Sequence, residues 1–177
     1  MIDRDNKIIF VHIPKTGGES VTKMLWNTKL SLATGKHLTI KQYRDMTNTE
    51  GYYIFSVVRN PYNRALSHYR FLKQFYNPPR VSCDFDSWIV NQHGAVDYLF
   101  YPQSYYIDDS VDIFKFEDWN NTIKKIYANT GFKKVTEVHK NKTKKNTSFE
   151  FSTLAIEKIN QIYEEDFRRF GYVKKTP

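Results

Sequence analysis

The hydrophobic pattern of the chain switches between two periods. Lys7–Ile13 (KIIFVHI) is an almost unbroken apolar run that stops at Pro14-Lys15-Thr16-Gly17-Gly18. Such a run suits a strand buried on both faces, as in a parallel sheet. Past the glycines, Val21, Met24 and Leu25 recur at helical spacing, so the turn leads into a helix. The pattern then restarts. Tyr52–Val58 (YYIFSVV) reads as a second strand, and Arg59-Asn60-Pro61 follows it. Asn60 suits an N-cap and Pro61 a first helical position. Ala65, Leu66, Tyr69, Leu72 and Phe75 mark one face of the helix beyond, which Pro78-Pro79 ends.

Further along, Asp84–Asn91 reads as a short helix and Val111–Phe116 (VDIFKF) alternates like a strand. Asn120–Thr130 predicts a helix closed by Gly131. Ser152 predicts the cap of a last helix whose face is Ile156, Ile159, Tyr163, Phe167 and Phe170, with Gly171 as its stop. Strands alternating with helices imply an α/β class: a P-loop-like three-layer domain with a mainly parallel central sheet flanked by helices. A length of 177 residues is enough for one real core, so residues 1–177 are expected to form a single domain. Ligands of such sheets bind beyond the carboxyl ends of the strands, where the Lys15 and Arg59 segments are expected to fall.

Composition changes this picture in three places. A formal net charge of +8 points to anionic partners such as nucleotides or acidic glycans. It does not make a nucleic-acid module, because the aromatic residues do not interleave with Lys and Arg in a recognisable motif. Cys83 is the single cysteine and the five histidines lack metal-site spacing, which excludes an intrachain disulfide and a thiolate zinc cluster. No secretory h-region or membrane-length apolar run occurs, so no transmembrane segment is expected and the location is expected to be cytoplasmic.

The chemistry concentrates at Pro14–Ser20. A helix N-terminus preceded by glycines offers unpaired N–H groups and a positive dipole end, which together bind a phosphate. Gly17 and Gly18 let the backbone curl, Lys15 adds a full charge, and Thr16 and Ser20 add hydroxyls. The nucleoside-triphosphate loop has its lysine after the last glycine, whereas Lys15 precedes the glycine pair. Arg59, just past the second strand, and Ser67, one to two helical turns later, form a second anion-binding set. Two such sets suit a nucleotide with phosphates on both sides of its ribose.

These residues carry a resemblance. FVHIPKTGGES (Phe10–Ser20) and SVVRNPYNRALSHY (Ser56–Tyr69) resemble the two donor-binding motifs of the sulfotransferases. The likeness is to the carbohydrate (family 2) group that includes the heparan sulfate 2-O-sulfotransferases. It continues through PQSYYI (Pro102–Ile107), KFED (Lys115–Asp118), HKNKTKK (His139–Lys145) and YEEDFRRFGY (Tyr163–Tyr172). The resemblance implies 3′-phosphoadenosine 5′-phosphosulfate (PAPS) as the nucleotide sulfate donor, no metal, and an acceptor hydroxyl on a carbohydrate or glycolipid. By motif position, Lys15 would contact the phosphosulfate. Thr16, Gly17, Gly18, Glu19 and Ser20 would cradle the 5′-phosphate, and Arg59 and Ser67 would hold the 3′-phosphate. His37 lies where the 2-O-sulfotransferases have a base, and Glu19 is the other candidate. His12 reads as structural, and His68, His93 and His139 have little support. Gln103 and Tyr105 match a substrate-side segment, and the lysines of Lys133–Lys145 match a flap over the donor. Two other readings remain open: a P-loop nucleotide kinase-like phosphoryl transferase, which needs a triphosphate loop and a Mg²⁺-holding acid, and a non-catalytic nucleotide-binding protein.

Overall fold

The structure is a computed structural model that describes residues 1–26, 35–74, 80–91, 101–132 and 149–177. Phe75, Pro78-Pro79, His93, His139 and the basic segment Lys133–Lys145 lie outside the described residues. The chain divides into two compact units, Met1–Val58 with Tyr105–Lys145, and Arg59–Ser104 with Asn146–Pro177.

The first unit carries a four-stranded sheet in the order β1 (Ile2–Asp3), β2 (Ile8–Val11), β3 (Tyr53–Val58), β4 (Asp112–Lys115). Only the β1–β2 pair is antiparallel; β2, β3 and β4 run parallel, with Val11 opposite Ser56 and Val58 opposite Lys115. This is the α/β class with a mainly parallel sheet that the alternation predicts. All four residues of β2 are buried, as its unbroken apolar run requires. Ile8 and Phe10 share a core with Phe55 and Val57 of β3. Val21 and Leu25 of α1 (Gly18–Trp26) and Ile126 of α5 (Trp119–Thr130) belong to it too. Each such side chain contributes about 1.5–3 kcal/mol on burial. Gly131 closes α5 in the left-handed conformation, at φ 70°.

One helix of this unit was not read from the pattern. Helix α2 (Ile40–Met46) is short and presents only Ile40 and Tyr43 to the interior. A capping box holds its start: the Gln42 N–H donates to Thr39 Oγ1 at 3.2 Å, and the Thr39 N–H donates to Gln42 Oε1 at 2.8 Å.

The second unit is helical. Its core joins Tyr62, Ala65 and Tyr69 of α3 (Pro61–Gln74) to Phe85 and Trp88 of α4 (Phe85–Asn91). Ile156 and Ile159 of α6 (Thr153–Ile162) and Phe167 of α7 (Glu164–Phe170) belong to it too. Asn60 does cap α3, its Oδ1 accepting the Tyr62 N–H at 3.1 Å, and Pro61 is the first helical residue. The expected final helix is two helices. It breaks at Tyr163 (φ −110°, ψ 26°), which ends α6 and opens α7. Glu164, Glu165 and Asp166 follow at once, and three acidic residues stabilise a new helix N-terminus better than a helix interior. Gly171 stops α7 in the left-handed conformation, as predicted.

No helix among the described residues is long and apolar enough to cross a membrane.

Candidate active site

The loop at Pro14–Ser20 leaves β2 at the carboxyl edge of the parallel strands. Its geometry is set by three local devices. The buried Ser56 hydroxyl on β3 donates to the Val11 carbonyl at 2.7 Å, tying down the end of β2. The Thr16 hydroxyl donates to the Ile13 carbonyl at 2.9 Å, pinning the turn from within. Lys15 and Gly17 both have left-handed backbone, at φ 67° and 87°. For glycine that conformation is free, whereas for lysine it costs on the order of 1–2 kcal/mol. Lys15, charged and half-buried, carries that strain in the middle of the loop.

The glycines are also required sterically. A Cβ on Gly18 would stand 2.0 Å from Cδ2 of His12, so the loop lies flat on the His12 ring. A Cβ on Gly17 would meet Phe116 at 2.8 Å. The first bonds within α1 run from the Ser20 and Val21 N–H groups to the Gly17 carbonyl, at 2.9 and 3.3 Å. The N–H groups of Gly18 and Glu19 precede that ladder and sit at the positive end of the helix. Two of the expected roles are thereby narrowed. The Thr16 hydroxyl proton and the Ser20 N–H already have protein acceptors, which leaves Thr16 its backbone N–H and Ser20 its hydroxyl.

His12 lies just past β2 and is buried. Burial, followed by the charges of His37 and Lys36, pushes its imidazole well below the usual histidine range, so the ring is neutral. It packs between Phe10, stacked at 5.5 Å, and His37, edge-on at 4.6 Å. His37 in turn places Nδ1 2.8 Å from the His12 carbonyl. A carbonyl only accepts, so Nδ1 carries the proton, and in the neutral ring the lone pair is on Nε2. The adjacent Lys36 pairs with Glu19 on α1. That hydrogen bond is the main cause that holds the Glu19 carboxyl below its ordinary range. Of the two candidate bases, Glu19 is itself a loop residue paired with Lys36, and His37 is held by the His12 carbonyl just before the loop.

In the second unit, Arg59 is the residue after Val58 and both it and Ser67 on α3 are half-buried. Gln103 is fully buried and turned onto Arg59: the Arg59 N–H donates to Gln103 Oε1 at 2.8 Å, and Gln103 Nε2 donates to the Arg59 carbonyl at 2.9 Å. Tyr105, in the first unit, is 59% exposed and stands edge-on to Tyr106. Among the described residues no cluster of three His, Cys, Asp or Glu is placed to hold a metal ion. Two features went unread in the sequence: His12 as the floor under Gly18, and Asp166, buried beside Gln103.

A glycine loop of this build, opening a helix after a buried parallel strand, is joined by a match over almost the full chain: the model of the Sulfotransferase family, family 2, covers residues 1–173. The chain belongs to that family. Its members transfer sulfuryl groups, and the sulfotransferase chain described here is accordingly a transferase. Comparison with individually curated proteins finds no match.

Proposed function

We propose that this sulfotransferase takes the sulfuryl group of PAPS and delivers it to an acceptor hydroxyl on a carbohydrate or glycolipid. The observation that carries the donor half is the loop itself: Lys15 in left-handed backbone before two sterically enforced glycines at the start of α1. An anion fits there, because the N–H groups of Gly18 and Glu19 and the dipole of α1 meet the Lys15 charge. In this reading the Thr16 and Gly17 N–H groups and the Ser20 hydroxyl complete the 5′-phosphate cradle. Lys15 stabilises the charge that grows on the leaving phosphate oxygen. Arg59 and Ser67 take the 3′-phosphate. The protein's work is positioning and electrostatic stabilisation, with little covalent chemistry of its own.

His37 is the base of the proposal. Its Nδ1–H is engaged by the His12 carbonyl, so Nε2 is the atom that accepts the acceptor's proton. Glu19 is the weaker candidate, because its partnership with Lys36 stabilises the carboxylate and lowers its basicity. Tyr105 remains proposed for the acceptor side, whereas Gln103, expected there too, is buried against Arg59. Tyr105 offers an exposed ring to a sugar, while the Gln103 amide already faces Arg59.

Calorimetry with adenosine 3′,5′-bisphosphate tests the donor site. Binding is expected, and Lys15→Ala and Arg59→Ala are each expected to weaken it by about tenfold or more, the range for a lost charged hydrogen bond. A chain that ignores this nucleotide yet binds ATP with Mg²⁺ is a phosphoryl transferase instead. A chain that binds the bisphosphate but moves no radiolabelled sulfate to any sugar acceptor is a nucleotide-binding protein.

A further inference from the structure

Arg59 lies outside the residue ranges of both elements it connects. Strand β3 ends at Val58, and α3 begins at Pro61 with Asn60 as its cap. The half-buried N–H and carbonyl of Arg59 call for hydrogen-bond partners. Gln103 supplies both, accepting the N–H and donating to the carbonyl, across 44 residues of sequence.

Gln103 is itself held from behind. The Asp166 carboxylate, fully buried in the first turn of α7, accepts three N–H groups. Its Oδ2 takes the Gln103 backbone N–H at 2.8 Å and Gln103 Nε2 at 3.2 Å, and its Oδ1 takes the Ser104 N–H at 2.8 Å. The amide orientation has one solution. Nε2 lies between the Arg59 carbonyl and a carboxylate, both acceptors, so it must be the NH₂, which turns Oε1 to the Arg59 N–H. No other side chain of this length has one acceptor and two donors in that fork. A buried carboxylate fixed by three donors is a rigid anchor, since each bond to it is charge-assisted.

We propose that Asp166 and Gln103 are positioning residues for the donor site. They fix the backbone of Arg59 and with it the direction in which its guanidinium leaves that backbone. This rests on the reading that Arg59 holds the 3′-phosphate. It adds a prediction that simple packing does not make: loss of the relay costs affinity only where a 3′-phosphate is present.

The test is calorimetry on the full chain with two nucleotides, adenosine 3′,5′-bisphosphate and adenosine 5′-phosphosulfate, which lacks the 3′-phosphate. Gln103→Ala and the near-isosteric Gln103→Met are expected to weaken the bisphosphate about tenfold and to leave adenosine 5′-phosphosulfate within about twofold. Added to Arg59→Ala, Gln103→Met should cost nothing further, because the two act as one. Equal weakening of both nucleotides, or no change in either, overturns the relay. If Arg59→Ala itself spares the bisphosphate preference, the reading of Arg59 fails and the relay with it. Hydrogen exchange on the wild type serves even if the variants misfold. The Arg59 amide should be protected without nucleotide, and an unprotected amide overturns the proposal.

Discussion

Gly18→Ala puts the loop geometry to its most direct test. The added methyl would lie 2.0, 2.1 and 2.7 Å from Cδ2, Nε2 and Cγ of His12, where ordinary contact is 3.4–4 Å. Something has to move by more than an ångström. The His12 ring is poorly placed to do so: it is buried, stacked on Phe10, edge-on to His37, and its carbonyl takes the His37 Nδ1–H. The loop therefore moves, or the pair strains. Overpacking of this kind costs about 1–3 kcal/mol, equivalent to a melting-temperature loss of roughly 2–12 °C for a chain of this size. The functional loss should be larger than the stability loss suggests, because a displacement of about 1 Å at a reacting centre costs on the order of a hundredfold in rate. Thermal unfolding, bisphosphate calorimetry and sulfate transfer are the three assays. His12→Ala added to Gly18→Ala removes the clash, so the double variant should be more stable than the sum of the single losses predicts. A Gly18→Ala protein with wild-type melting and wild-type nucleotide affinity would refute the argument that His12 forms the floor of the loop.

Three other expectations follow from the same geometry. Lys15→Gly relieves left-handed strain that Lys15→Ala keeps, so urea titration should find the glycine variant about 1 kcal/mol more stable, with nucleotide binding weakened about tenfold or more in both. Equal stability would mean that Lys15 is unstrained. His37→Ala should lower turnover by about 10²–10⁴-fold while leaving bisphosphate affinity unchanged, and unaltered turnover removes it as the base. Asp108 pairs with Arg44 of α2, and the hydrogen bond from that guanidinium is the first cause that draws its carboxyl down from 3.8 to about 2. A depressed carboxylate contributes stability that is complete above its unfolded value and lost as pH falls through the folded one. Wild type should therefore lose stability relative to Asp108→Asn between about pH 4 and pH 2. The side chains are 41% and 45% exposed, so screening holds the difference below about 1 kcal/mol. Parallel acid-unfolding curves for the two proteins would count against the pair.

How far the fold could be read from the chain depended on how local its causes are. Strand β2 and helix α1 follow from an apolar run and a period of 3.6, and α3 starts where Asn60 and Pro61 say it must. Helix α2 escaped because seven residues with two buried positions make too weak a period, although Thr39 and Gln42 carry a capping box at the right spacing. The break in the single helix expected from Ser152 to Gly171 was hidden because the apolar face runs through Tyr163 unchanged. The break lies in the acidic turn and not in the hydrophobic period.

The loop chemistry at Pro14–Ser20 was in the sequence, since glycines, a lysine and a helix start are neighbours along the chain. Its support was not. His37 reaches the His12 carbonyl from 25 residues away, and Asp166 reaches Gln103 from 63 residues away. Residue types and spacings name the groups that can bind an anion. Which buried ring lies under a glycine, and which amide holds an arginine's backbone, depends on how strands pair and helices pack, and only the folded chain brings those partners within a hydrogen bond.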